Sequence, residues 1–236
     1  SANIVLKTSS PSTGILAIPS MSHTNQRSSL GTLNILHVLN DGFYTSILLF
    51  LPFLAADFGI NLTQAGLLGT VMNSLGMLCA LPAGYLATRI GGMKVLVISV
   101  LLYGIGYIGT GFASSYLWLF PMFIIAGIGF ALFHPISFAL VTRFSTPGKR
   151  GRNMGNFTAI GDIGKMGISS ALTFIVVAVG WRSTALLYGV IALAVGLFFW
   201  LYLGHKKDTS VTPVQEHIPQ RIRQILSHPP FLFAAL

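Results

Sequence analysis

The chain has 236 residues, of which 53% are hydrophobic and only 8% charged, with a mean hydropathy of +0.75. That composition excludes an ordinary soluble domain and predicts an all-α polytopic membrane protein. The net charge of +9 does not indicate a nucleic-acid partner, because the basic residues fall between apolar spans instead of forming one patch.

In chain order, residues 1–32 form an N-terminal segment. Its first 20 residues are rich in Ser, Pro and Thr without a signal-peptide pattern, so translation is expected to begin at Met21. Apolar runs long enough to cross a hydrocarbon core of about 30 Å, roughly 20 residues each, then predict six spans. They cover residues 33–56, 62–88, 93–112, 116–141, 153–179 and 183–204, so a six-helix bundle is expected over 33–204. The character changes at His205: residues 205–230 read as a polar, proline-bearing cytoplasmic linker, and 231–236 as the start of a truncated seventh transmembrane helix. The single cysteine, Cys79, lies within an apolar span without a partner, so no disulfide and no zinc site is expected, and no cofactor motif is present.

Basic residues set the expected orientation. Lys7 and Arg27 precede the first span, and Arg89 and Lys94 follow the second. Arg143, Lys149, Arg150 and Arg152 follow the fourth, and Lys206, Lys207, Arg221 and Arg223 the sixth. The opposite side carries Arg182. The positive-inside rule therefore places both ends of this chain in the cytoplasm, on the inner (plasma) membrane of a cell. Tyr116, Trp118 and Trp181 suit the outer interface, and Trp200 and Tyr202 the inner one.

The loop between spans two and three carries the pattern Gly84, Leu86, Thr88, Arg89, Gly91 and Lys94. It resembles the signature loop of the major facilitator superfamily, whose members have twelve spans in two halves joined by a cytoplasmic linker. The resemblance implies that this chain is the N-terminal six-span half of such a fold. Thr88 stands where the family usually has an acidic residue, which puts in doubt the charge contact that helps latch the halves. Within the superfamily, three stretches resemble the fosmidomycin-resistance-like efflux transporters: His37 to Asp41, Phe133-His134-Pro135, and the glycine-spaced region from Gly155 to Gly167. The arginine common in span four of drug and proton antiporters has no counterpart before Phe133.

Five ionisable groups are expected inside the membrane, where a charge costs several kcal/mol unless it is paired or hydrated: His37, Asp41, His134, Asp162 and Lys165. His37 and Asp41 are four apart, on one helix face. Desolvation and an imidazolium neighbour act in opposite directions on the carboxylate, the competition that a proton-coupling group requires. The pair is either a cavity-facing substrate or proton site or a fixture of span one. His134, beside the donor-less Pro135, either joins them or is satisfied by a neighbouring helix. Asp162 and Lys165, three apart, predict an intrahelical ion pair with a structural or gating role, with Gly161 and Gly164 adjoining as a close-contact face.

These features predict secondary active transport by alternating access, not an enzyme: a small solute moves by proton-coupled, antiporter-type efflux, as in drug resistance. The expected partners are a small-molecule substrate, protons, the lipid bilayer and the C-terminal half of the same chain. No phosphate-cradling loop for an ATP motor is present. A sensor, a scaffold or a permease subunit derived from the same fold is the alternative.

Overall fold

The computed structural model describes residues 23–204, which form eight helices and no strand. They are α1 (His23–Leu48), α2 (Leu51–Phe58), α3 (Leu62–Leu78), α4 (Ala80–Ile90), α5 (Gly92–Gly111), α6 (Tyr116–Phe144), α7 (Arg150–Val179) and α8 (Trp181–Gly204). The expected start at Met21, the linker and the seventh span lie outside the described residues.

Five segments are long and apolar enough to cross a membrane: residues 27–58, spanning α1 and α2, and then α5, α6, α7 and α8. The expected second span is divided into α3 and α4, 17 and 11 residues long. Proline explains both interruptions. Pro52 and Pro82 have no N–H to offer the carbonyls of Leu48 and Leu78, and their rings crowd those carbonyls. Around Leu49 and Phe50 the chain tightens to three-residue bonds, Leu49 N–H donating to Ser46 at 3.1 Å and Phe50 N–H to Ile47 at 3.3 Å. At Cys79 the ladder resumes through Ala83 N–H donating to the Cys79 carbonyl at 2.8 Å. By contrast α6 runs unbroken through Pro121 and Pro135. The helices also begin or end several residues beyond the expected spans, notably at the start of α1 and the end of α6, because polar residues extend a helix past its apolar core.

The packing follows a simple pairing: α5 lies against α6 and α8, α1 against α7, and α3 against α6. α5 is the innermost element, with Val95, Leu96, Val100, Tyr103 and Tyr107 fully buried. Tyr107 ties it to α1 by donating its hydroxyl proton to the Phe43 carbonyl at 2.7 Å.

Two positions explain why α1 and α7 come so close. A Cβ on Gly161 would lie 2.4 Å from the His37 ring, and one on Gly164 would lie 2.3 Å from the Val38 carbonyl oxygen. Only glycine permits that approach, and it is the small contact face expected on span five. In the α4–α5 turn, Gly91 has φ of 98°, a conformation that L side chains rarely adopt. Gly84 differs: an added Cβ there would meet open space.

Candidate functional site

The buried α1–α7 crossing brings together residues that the sequence separates by more than a hundred positions. Asp41, its side chain only 4% exposed, is the centre. Its Oδ2 lies 3.3 Å from His37 Nε2 and 3.3 Å from Lys165 Nζ. Its Oδ1 lies 3.4 Å from His134 Nε2 and accepts a bond from Asn40 Nδ2 at 2.9 Å. Lys165 also donates to Asp162 Oδ1 at 3.1 Å. The expected intrahelical pair on α7 is thus present, but it is not separate: Lys165 links it to the α1 pair, and α6 adds His134. All five expected intramembrane groups belong to one network.

The orientation of the His37 ring follows from its partners. Its Nδ1 lies 2.8 Å from the Phe157 carbonyl oxygen, which can only accept, so Nδ1 carries hydrogen. Its Nε2 then faces the Asp41 carboxylate at 3.3 Å. The His37 ring is stacked on Phe157 with ring centroids 3.9 Å apart and flanked by Phe133 at 5.7 Å. Among the described residues, His37 Nε2 and His134 Nδ1 have no well-aligned hydrogen-bond partner, which leaves polar capacity unused at the site.

Access differs across the network. His37 and Asp41 are buried, His134 is 28% exposed, and the Lys165 and Asp162 side chains are 44% and 58% exposed. The exposed groups reach open space while the carboxylate at the centre is enclosed. Tyr44 continues the polar wall, its hydroxyl donating to Asn73 Oδ1 while its ring stacks on Phe130 at 4.0 Å.

Asn40, Phe157 and Asn73 are site residues that sequence reasoning did not single out. Only Asn40, beside Asp41 in the motif on α1, left a trace there. A backbone carbonyl contributing a hydrogen-bond acceptor leaves none. Asp57 also escaped notice: on the side opposite the basic loops it receives a 2.8 Å bond from Arg182. Arg182 donates as well to the Ala113 carbonyl at 2.6 Å, joining the ends of α2 and α5 to the start of α8.

The signature loop has a local arrangement. Thr88 donates its hydroxyl proton to the Tyr85 carbonyl at 2.7 Å, and Arg89 Nε donates to the Tyr85 hydroxyl at 3.0 Å with its guanidinium over that ring. Thr88 is satisfied within α4 and offers no charge to a partner. Lys94 sits in the first turn of α5.

Residues 33–236 match the sequence profile of the Major Facilitator Superfamily, and the chain belongs to that family. It is 25% identical over 157 residues to a probable sulfoacetate transporter of Cupriavidus necator, covering 66% of this chain and 36% of that protein. It is 22% identical over 160 residues to a probable L-galactonate transporter of Escherichia coli, covering 68% of this chain and 35% of the relative. The chain thus spans little more than a third of the length of these two relatives. The fold is similar to a bacterial homologue of the human lysosomal transporter Spinster in an inward-facing, occupied conformation. There the TM-score is 0.65 at 20% identity, over 84% of this chain and 48% of that chain.

Proposed function

We propose that this chain is the N-terminal half of a secondary active transporter that moves a small solute across a cell's inner membrane by alternating access. Proton coupling at the His37–Asp41 pair drives the movement, and efflux is the direction suggested by the motifs on spans one, four and five. The basic loops lie on the cytoplasmic side. The observation that carries this reading is Asp41 itself: a buried carboxylate, ringed by His37, His134, Lys165 and Asn40 from three helices, beside a histidine whose ring is fixed by the Phe157 carbonyl. Ionisable groups inside a membrane bundle mark ion and substrate pathways because they are too costly to keep otherwise.

A small organic anion is the substrate class to test first. The two relatives are named for acids, sulfoacetate and galactonate, and Lys165 and His134 are the partly exposed cationic or proton-donating groups that would meet a carboxylate. Fosmidomycin belongs in the same panel because of the motif resemblance, and a sugar efflux relative of Mannheimia succiniciproducens supports including a neutral sugar.

The test is transport by the full-length protein in vesicles with an imposed pH gradient, with solute placed inside or outside to read direction. Asp41→Asn is expected to abolish gradient-driven movement while the protein remains folded. Unaltered proton-driven transport by that variant refutes the assignment.

A further inference from the structure

At the basic end of the bundle, away from the Asp41 site, a crevice of about 160 Å³ opens between the start of α1, the end of α6 and the start of α7. Arg27, Lys149 and Arg152 line it, with Thr146 beside them and the apolar side chains of Leu30 and Phe144. Among the described residues no carboxylate contributes to its wall. The three acidic groups among the described residues are engaged elsewhere, Asp41 and Asp162 with Lys165 and Asp57 with Arg182.

Three cations lining one concavity repel one another, and an anion among them relieves that repulsion. The first turn of α7, which belongs to the same wall, strengthens the preference. Its N-cap, Lys149, makes no side-chain capping bond, so the partial positive charge at the start of this 30-residue helix is not offset by a side chain. Leu30 and Phe144 give the crevice an apolar side as well, which inorganic ions do not need and a lipid does. Phe144 is 3% exposed and part of the core, so the half-buried Leu30 supplies most of that apolar surface.

We infer that this crevice is a binding site for a phosphate group, held by Arg27, Lys149 and Arg152 and supplied by the headgroup of an anionic phospholipid in the adjoining leaflet. Guanidinium groups suit phosphate oxygens through paired N–H donors, and Lys149 adds a point charge. The apolar side then accommodates the glycerol and the first acyl carbons. The site shares no side chain with the Asp41 network, although both are built on α1, α6 and α7.

The experiment uses the full-length protein purified in a neutral detergent. Thermal unfolding is followed while phosphatidylglycerol, phosphatidylcholine or inorganic phosphate is titrated. The wild type is compared with Arg27→Gln/Lys149→Gln/Arg152→Gln and with Arg89→Gln/Lys94→Gln, which removes two charges from the same end outside the crevice. Phosphatidylglycerol is expected to raise the wild-type midpoint and phosphatidylcholine to leave it unchanged. At about fivefold per basic side chain, the crevice variant should bind phosphatidylglycerol roughly 100-fold more weakly. The Arg89/Lys94 variant should keep the wild-type response. An equal response to inorganic phosphate, lost in the same variant, supports the site and assigns its ligand to free phosphate. Equal lipid responses in wild type and crevice variant, or an equal loss in the Arg89/Lys94 variant, overturn the inference.

Discussion

Replacing Gly164 by alanine should separate α7 from α1 and dismantle the Asp41 network without touching any of its side chains. The added Cβ would lie 2.3 Å from the Val38 carbonyl oxygen and 2.6 Å from Val38 Cα, both backbone atoms that no rotamer change can move. To restore ordinary contact at about 3.4 Å, the helices must part by about 1 Å. The bond from His37 Nδ1 to the Phe157 carbonyl, now 2.8 Å, and the approach of Lys165 Nζ to Asp41 at 3.3 Å both bridge that interface. Lengthened by about 1 Å, neither remains a hydrogen bond. Overpacking of this kind costs about 1–3 kcal/mol, against about 1 kcal/mol gained from replacing a helical glycine. Gly167 on the same helix supplies the control, since a Cβ there meets nothing within 4 Å. Gly167→Ala should therefore be neutral or stabilising by up to about 1 kcal/mol. The assay is thermal unfolding of the full-length protein together with gradient-driven transport in vesicles. Gly164→Ala should unfold at lower temperature and lose transport, while Gly167→Ala keeps both. Wild-type stability and transport in Gly164→Ala would refute the close-contact account of the site.

Two further outcomes test the periphery. Arg182→Ala removes the donor to the Ala113 carbonyl as well as the Asp57 partner, so it should destabilise by about 1–3 kcal/mol, whereas Asp57→Asn, which weakens only a half-exposed ion pair, should cost less than about 1 kcal/mol. Comparison of the two unfolding midpoints decides it, and equal losses would show that the carbonyl contact adds nothing. Thr88→Val removes one local bond to the Tyr85 carbonyl and should change stability by less than about 1 kcal/mol and leave the transport rate unchanged. A severe transport defect in Thr88→Val would mean that the hydroxyl acts beyond its own helix.

The membrane character was legible because hydropathy is a local property summed over about 20 residues, and the polar groups within the spans stand out against that background, whereas of the six expected spans the second is divided into two shorter helices and five segments are long and apolar enough to cross. The i, i+4 spacing of His37 and Asp41 and the i, i+3 spacing of Asp162 and Lys165 likewise fix which residues share a helix face, and both contacts are present. What spacing could not supply was the joining of the two pairs. That depends on how deeply α1 and α7 interpenetrate, a distance set by Gly161 and Gly164 against atoms more than a hundred residues away in sequence. The breaks near Pro52 and Pro82 were hidden for a different reason. Hydropathy is insensitive to a missing N–H, and Pro135, with the same chemistry, leaves α6 unbroken.

The tightness of this crossing also constrains how the half can move. Lys165 reaches Asp41 from α7, His134 reaches it from α6, and His37 is pinned by a carbonyl of α7, so the charge balance at Asp41 exists only while three helices keep their positions to within about 1 Å. Sliding α1 against α7 would leave a buried carboxylate short of donors, which costs several kcal/mol. A motion that leaves α1, α6 and α7 fixed relative to one another costs none of this. Movement of the described helices as one body is therefore the cheap motion.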